Sequence, residues 1–416
     1  MKLLYILLPI SLFAAAYLYF NKSKNIEVRT TLSRLDFQEQ RQEAFDYLNN
    51  LRSSLGLVKL TLNSKLTKAA QGHANYLVAN NESSHYEIKG HKNFIGKSVV
   101  DRAIYANFSS TTLSENLSTN TKDAKNSISE LFSAIYHRFA FLSPNIDTVG
   151  VGVAQNKKDL KNNAFVYVMG NSNLERLCSK KGAKVKNRYY FNLCRDKNLR
   201  VPKELYDNSI NSLKKVSPKI ICYPYNGQKG VSPVFYEESP DPLPNYRVSG
   251  FPISVEFNDY YFNSVKLVSF KLYSNNKEVK NVKLLDKYSD PNRILKSNQF
   301  ALFPLKRLEF NKEYRVKIIY IANNKRYKKE WSFKTIKPNG KLYKVDNQKV
   351  LYLSKNIDNI LYFPPKNRND LIMDIEFPSA LNIDFLDHNT VKIASVSNSM
   401  NFTLKTNNKR VNIVIK

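Results

Sequence analysis

The chain has 416 residues, enough for two or three domains with their own cores, and carries 65 Lys and Arg against 35 Asp and Glu, a formal charge of +30. This balance favours anionic partners: membrane surfaces, acidic envelope polymers or nucleic acid. Because the lysines are dispersed along the whole chain, one polybasic block is excluded as the source of the charge, and most of it is interpreted as solvated surface.

The N-terminus has the layout of a secretory signal. Met1 and Lys2 precede an almost unbroken apolar run over residues 3–20, and the small residues 14–16 offer a cleavage site. The run is also nearly long enough to span a bilayer. Residues 1–24 are therefore predicted to be a signal peptide or an uncleaved N-terminal membrane anchor. Either alternative predicts an extracytoplasmic protein, periplasmic or secreted, and the second anchors it to the inner membrane.

Residues 30–172 begin with two predicted helices. Asp36 can cap the first, and apolar residues then recur at helical spacing until Gly56. The second begins after Asn63, and its apolar stripe includes His73, which is therefore predicted to be a core histidine.

The rest of this region changes from helical to strand-like spacing. A helix is predicted over 121–137, with His137 at its C-terminal end, where the helix dipole would favour a bound proton. Residues 148–154 and 164–169 are β-branched and strand-like. The succession predicts an α+β fold, with helices packed on a small antiparallel sheet.

Three polar side chains stand out on segments far apart in the sequence: His85 in SSHYE, Glu115 in LSENLS and His137 in AIYHRFAFLSP. They can act together only if the fold brings them to one cleft. Two imidazoles and a carboxylate can hold a zinc ion with an open position, and such an ion permits hydrolysis. The alternative is a hydrogen-bonded cluster that ties helix ends to the sheet. The sequence shows no Ser-His-Asp order, phosphate loop or nucleophilic cysteine motif.

The segments LNNLRSSLGL, AAQGHANYLVANNESSH, SENL and YHRFAFLSPNIDTVGVGV, in this order, resemble the bacterial branch of the CAP superfamily of SCP-like extracellular domains. The resemblance implies an α-β-α sandwich whose cleft commonly holds two histidines and two acids. By motif position His85, Glu115 and His137 are three of these. The second acid would fall at Ala134, so the fourth member is predicted to be missing. Glu130 would share a face with His137 on a continuous helix, but it is interpreted as a solvated glutamate. The resemblance implies occasional metal binding and no single reaction.

Residues 173–218 are predicted to be a basic linker with a short helix over 204–215. Within it, Cys178 and Cys194 can close a short disulfide loop, which leaves Cys222 free and buried in a strand. The linker mixes aromatic residues with lysine and arginine. Behind an export signal, this mixture favours acidic glycans, lipid headgroups or plain solvation over nucleic acid.

From residue 219 the sequence becomes strand-rich. Residues 219–336 resemble a bacterial Ig-like or fibronectin-like sandwich: Leu308 and Tyr314 have the spacing of a tyrosine corner, and Trp331 is predicted to lie in the core. Residues 337–416 are predicted to form a small C-terminal β domain.

Three functional hypotheses follow. The preferred one is an exported, envelope-associated CAP-domain protein that binds a lipid, glycan or peptide ligand in a cleft formed by His85, Glu115 and His137. The positive charge favours an anionic envelope or lipid ligand. The second is a zinc-dependent hydrolase that uses the same residues, with His85 and His137 as metal ligands. The third is a structural or adhesion protein that acts through its Ig-like domain. No cofactor other than zinc and no nucleic-acid partner is expected.

Overall fold

A computed structural model of the chain describes residues 23–27, 33–180, 188–407 and 409–416. The apolar run of residues 3–20, predicted to be a signal or an anchor, lies outside these ranges. In the part of the chain that the structure describes, no helix is both long and apolar enough to cross a membrane.

The first folded region contains five helices and a four-stranded sheet. Its elements, after strand β1 (Ser23–Glu27), are α1 (Phe37–Ser54), β2 (Thr61–Leu62), α2 (Ser64–Asn80), α3 (Val99–Tyr105), β3 (Ser114–Thr119), α4 (Ala124–Ser133), α5 (Ile135–Phe141), β4 (Thr148–Gln155) and β5 (Asn163–Gly170). The sheet order is β2-β4-β5-β3, with β2 parallel to β4 and the other pairs antiparallel. Helix α2 packs on one face of this sheet, and α1 and α4 pack on the other. The predicted α-β-α sandwich is therefore confirmed.

Local sequence signals explain how the first two helices are placed. Asp36 accepts hydrogen bonds from two backbone N–H groups at the start of α1, as predicted, and α2 begins after Asn63, whose side chain caps it in the same way. Gly150 and Gly152 on β4 lie directly under α2: a Cβ at either position would come within 2.3 Å of that helix's backbone. These glycines let α2 lie close against the sheet.

The predicted continuous helix over 121–137 is wrong. Helix α4 ends at Ser133, Ala134 is extended with ψ 116°, and α5 starts at Ile135. His137 therefore lies in the first turn of a second helix and not at a C-terminal end, so the expected dipole effect on its proton affinity does not apply. The break also removes the shared face with Glu130, which is exposed.

The predicted linker is largely folded. It contains α6 (Ser172–Ser179), β6 (Tyr189–Tyr190), β7 (Val201–Pro202) and α7 (Lys203–Val216), and α7 confirms the predicted short helix. Cys178 and Cys194 form a disulfide, and Cys222 is free and buried, as predicted.

The following region is a two-sheet sandwich. Its strands are β8 (Ile220–Tyr223), β9 (Gln228–Val231), β10 (Val234–Phe235), β11 (Ser249–Gly250), β12 (Ile253–Phe257), β13 (Val265–Ser274), β14 (Lys277–Glu278), β15 (Val282–Leu285), β16 (Gln299–Pro304), β17 (Glu313–Ala322) and β18 (Lys325–Thr335). The main sheets have the orders β15-β16-β12-β8 and β14-β13-β17-β18-β9. Trp331 lies in the core between them, and the Tyr314 hydroxyl accepts a hydrogen bond from the Glu309 N–H at 3.0 Å. An all-β sandwich is confirmed, and its assignment to the Ig-like class stays a prediction.

The C-terminal region is a second pair of sheets. Its strands are β19 (Lys341–Lys344), β20 (Val350–Leu353), β21 (Asn359–Tyr362), β22 (Asp374–Pro378), β23 (Ile383–Asp387), β24 (Thr390–Ile393), β25 (Met400–Thr406) and β26 (Arg410–Ile415). The sheet orders are β1-β22-β25-β26-β20 and β19-β21-β24-β23. The N-terminal strand β1 thus pairs with β22 at the edge of the C-terminal region, a long-range contact that the sequence did not predict.

Candidate functional site

His85 and Glu115 form a direct pair. His85 lies in the loop after α2, and Glu115 is the second residue of β3. The His85 Nδ1 atom is 3.0 Å from Glu115 Oε1. The carboxylate is only 2% exposed, whereas the imidazole is 43% exposed. The pair therefore joins a buried acid to a ring that solvent and ligands can reach.

A buried arginine holds the carboxylate from the other side. Arg102 on α3 donates through Nη2 to both Glu115 oxygens, at 2.9 and 2.8 Å, and to the carbonyl of His85 at 3.2 Å. Burial alone would raise the pKa of Glu115, but the hydrogen bond from His85 and the charge of Arg102 outweigh it, so this pKa lies below its ordinary value. Glu115 is therefore an ionised anchor for the His85 ring.

His73 supports the loop that carries His85. It is fully buried, as predicted, and its Nδ1 lies 2.9 Å from Glu87 Oε1. Its Nε2 lies 2.9 Å from the carbonyl oxygen of Ser84, next to His85. His73 thus belongs to the framework behind the cleft, and both of its ring nitrogens are in use.

His137 lies next to the first pair. Its ring is 14% exposed and stacks on the His85 ring, with centroids 6.3 Å apart and planes at 22°. The Asn116 side chain on β3 donates to the His137 carbonyl at 2.8 Å, which fixes α5 next to the strand of Glu115. The structure therefore brings His85, Glu115 and His137 together, while their functional role stays a prediction.

The second imidazole also has a carboxylate partner, and it comes from the β-sandwich. Glu238, in the loop between β10 and β11, places Oε2 3.0 Å from His137 Nδ1 and accepts the Ile135 N–H through Oε1 at 2.7 Å. Burial raises the pKa of Glu238, and the hydrogen bond from His137 offsets part of that rise. Glu238 is absent from the sequence-based predictions, because nothing in the local sequence YEESP distinguishes it from the neighbouring Glu237.

Other side chains of α5 also contact the β-sandwich. The Arg138 guanidinium is fully buried between the rings of Tyr223 and Phe251, 4.9 and 4.8 Å from their centroids. It donates to the carbonyl of Pro252 at 2.7 Å. Two residues earlier on α5, the Tyr136 hydroxyl donates a hydrogen bond to Asp290 in the sandwich. Helix α5, which carries His137, is thus positioned by both folded regions.

The atoms of the site that can bind a ligand or a metal ion are the Nε2 atoms of His85 and His137. Both Nδ1 atoms face carboxylates, and neither Nε2 atom has a partner among the described residues. A carboxylate behind an imidazole orients metal-ligating histidines. However, no group of three His, Cys, Asp or Glu side chains within the described ranges is placed to hold a metal ion. Glu115 is engaged by Arg102, so the residues present offer two ring nitrogens and not the predicted three-ligand set.

A groove on the exposed side of α1 is a different kind of feature. It has a volume of about 740 Å³ and is lined mainly by polar and acidic side chains, among them Asp36, Glu39, Glu43 and Asp46. None of the three predicted site residues lines it. We assign the candidate site to the histidine cleft because the groove has no comparable convergence of buried acid and accessible imidazole.

Comparisons with known proteins concern the family of the first folded region. The model of the Cysteine-rich secretory protein family, CAP, matches residues 45–171. An extracellular SCP-domain protein from Bacillus anthracis is 21% identical over 32% of this chain and 40% of its own, with a TM-score of 0.28. An outer surface protein from Borrelia burgdorferi is 18% identical over 34% of this chain and 98% of its own, with a TM-score of 0.29.

A cysteine-rich secretory protein from Staphylococcus aureus is 17% identical over 33% of this chain and 40% of its own, with a TM-score of 0.25. The chain thus spans less than half the length of two of these three structures. No curated protein sequence matches it. The family match covers the segments that carry all three predicted site residues. Residues 45–171 of this chain are therefore a CAP domain, and a largely β C-terminal region follows it.

Proposed function

We propose that the protein is exported, associates with the cell envelope, and binds the anionic or polar group of an envelope lipid or glycan between His85 and His137. One observation carries this proposal: two stacked imidazoles are each held through Nδ1 by a buried carboxylate, and no residue in the described ranges binds either Nε2 atom. Preoriented polar groups in a cleft are the usual basis of ligand specificity.

Two further observations support the location and the ligand class. The Cys178–Cys194 disulfide and the N-terminal apolar run are typical of exported chains. The formal charge of +30 raises the local concentration of anions, so phosphate-bearing lipids and glycans are favoured ligands.

The test uses the five histidines of the chain as reporters. Protein labelled with ¹³C and ¹⁵N in histidine is titrated with inorganic phosphate, a probe for phosphate headgroups. We expect the His85 and His137 ring resonances to shift together along one saturation curve, because one ligand contacts both Nε2 atoms. The exposed ring of His91 is the internal control and should not follow that curve.

The matched variant is the double substitution His85→Ala and His137→Ala, in which calorimetry should detect no saturable phosphate binding. A soluble phosphatidylglycerol and a phosphorylated sugar, compared next, separate a lipid from a glycan source. If all accessible histidines shift in parallel without saturation, the cleft is not a phosphate site. That result would favour the hypothesis that the protein acts as an adhesion protein through its β-sandwich.

The zinc-dependent hydrolase is the second candidate, because the paired carboxylates orient both imidazoles in the way that metal-ligating histidines are oriented. A parallel titration with zinc chloride decides between the two. Stoichiometric shifts confined to His85 and His137 would favour the zinc site.

A further inference from the structure

We infer that the CAP cleft is completed by the β-sandwich: Glu238 is its fourth polar residue, and it is the residue that positions His137. The sequence predicts that the acid expected at Ala134 is missing. The structure supplies a carboxylate from a segment 101 residues beyond His137. The inference deepens the proposed function and rests on it only for the effect on ligand binding.

The carboxylate performs two tasks at the start of α5. The helix begins after Ala134, which provides no side-chain cap for its first N–H groups. Glu238 takes that place, since Oε1 accepts the Ile135 N–H at 2.7 Å while Oε2 lies 3.0 Å from His137 Nδ1. Its side chain is only 2% exposed, so water does not compete with either bond. One buried group therefore fixes both the helix start and the imidazole ring.

The loop that presents Glu238 is itself tied down. Two residues earlier, the Tyr236 hydroxyl donates to Asp387 Oδ1 in the C-terminal region at 2.9 Å. Arg307 donates to both oxygens of the same carboxylate, at 2.9 and 2.6 Å. On the other side of the loop, the Asn292 side chain donates to the Asp241 carbonyl at 2.7 Å. Glu238 is thus held by rigid neighbours, which is what a positioning residue requires.

With Glu238 ionised, the contact between its carboxylate and Nδ1 sets the tautomer of His137. An ionised carboxylate can only accept hydrogen bonds, so Nδ1 carries the proton and Nε2 presents a lone pair to the cleft. Glutamine at position 238 has one acceptor and one donor. The Ile135 N–H can only donate, so the amide oxygen stays on it and the NH₂ group faces Nδ1. His137 must then accept at Nδ1, and its proton moves to Nε2.

The experiment compares Glu238→Gln with Glu237→Gln, a matched control at the adjacent exposed carboxylate. Ring ¹⁵N shifts of histidine-labelled full-length protein report the tautomer directly. We expect His137 to change from the Nδ1–H to the Nε2–H form in Glu238→Gln only. A second variant, Glu238→Ala, introduces no donor and should give a mixture of both forms. His73, which is held by Glu87 and the Ser84 carbonyl, should keep its wild-type shifts in both Glu238 variants, which shows that the CAP domain is folded.

Persistence of the wild-type tautomer in both Glu238 variants would overturn the inference, as would the same change in Glu237→Gln. Phosphate affinity is measured on the same samples. A phosphate oxygen needs an N–H at Nε2, so phosphate binds the doubly protonated His137 ring, which keeps its proton at Nδ1. The amide NH₂ group of Glu238→Gln faces Nδ1 and excludes that second proton. Affinity should therefore fall about tenfold, the lower end of the range for residues that orient metal-ligating histidines. If the tautomer changes but the wild-type protein binds no phosphate, the positioning role stands and the proposed function fails.

Discussion

Arg138→Met is expected to lower the free energy of unfolding by about 4 kcal/mol, and to separate the unfolding of the CAP domain from that of the β-sandwich. The guanidinium is fully buried and donates to the carbonyls of Phe132 and Pro252 at 2.6 and 2.7 Å. Burial lowers the pKa of Arg138 to about 10, so it remains charged at neutral pH. Methionine has a similar length, but it leaves these buried acceptors without donors.

Urea unfolding followed by two probes measures this effect. Trp331, the only tryptophan, lies in the sandwich core and reports that region by fluorescence, while far-UV circular dichroism also reports the CAP helices. The two transitions should coincide in the wild type and diverge in Arg138→Met. Arg176→Met, at an exposed position on α6, is the control and should change stability by less than about 0.5 kcal/mol. Coincident transitions and a loss as small as that of the control would contradict the docking role of Arg138.

Arg102→Leu is expected to destabilise the CAP domain by about 3 to 5 kcal/mol, because it removes the charge partner of a carboxylate that cannot reach water. Glu115 would retain only the hydrogen bond from His85, and the backbone carbonyl of His85 would lose its donor. Thermal and urea denaturation at pH 7 measure the loss. Adding Glu115→Gln to the same protein removes the unpaired charge and should restore part of the stability.

The loss of stability in Arg102→Leu should depend on pH. In the wild type the pKa of Glu115 lies below its ordinary value of 4.5, so its ionised form contributes stability above that pH, and this stability is lost as the pH falls through the folded-state pKa. Without Arg102, burial dominates and that pKa rises. Protonation then relieves the buried charge, so the deficit of Arg102→Leu should be largest near pH 7 and shrink in acid. A deficit independent of pH would point to lost packing alone.

Local signals in the sequence were sufficient for much of the fold. Asp36 and Asn63 cap their helices through contacts within three residues, so their roles can be predicted from a short window. The same holds for His73, which lies on an apolar helical stripe and is buried. The Cys178–Cys194 loop was also accessible, because export and short spacing together favour that pair.

The helix break at Ala134 shows where local reasoning fails. The apolar spacing of 121–137 is compatible with one continuous helix, and no glycine or proline interrupts it. The contacts at the break are instead tertiary: Glu238 binds the free N–H of Ile135, and Arg138 enters the β-sandwich. Both depend on chain segments about a hundred residues away, which no sequence window contains.

For the candidate site as well, local motifs were sufficient for some residues and not for others. His85, Glu115 and His137 could be chosen because each lies in a short motif of the CAP family. Their common cleft is a property of the fold, and the structure supplies it through the stacked rings of the two histidines. Glu238 could not be chosen, since its partner is identified only by the docking of a second domain.

The most direct test of one shared cleft is a nuclear Overhauser measurement on protein protonated only at histidine in a deuterated background. With ring centroids 6.3 Å apart, we predict a cross-peak between the ring protons of His85 and His137, and its loss in His137→Ala. Five resolved histidines without that cross-peak would contradict the account, because residues from two distant segments would then not form a single site.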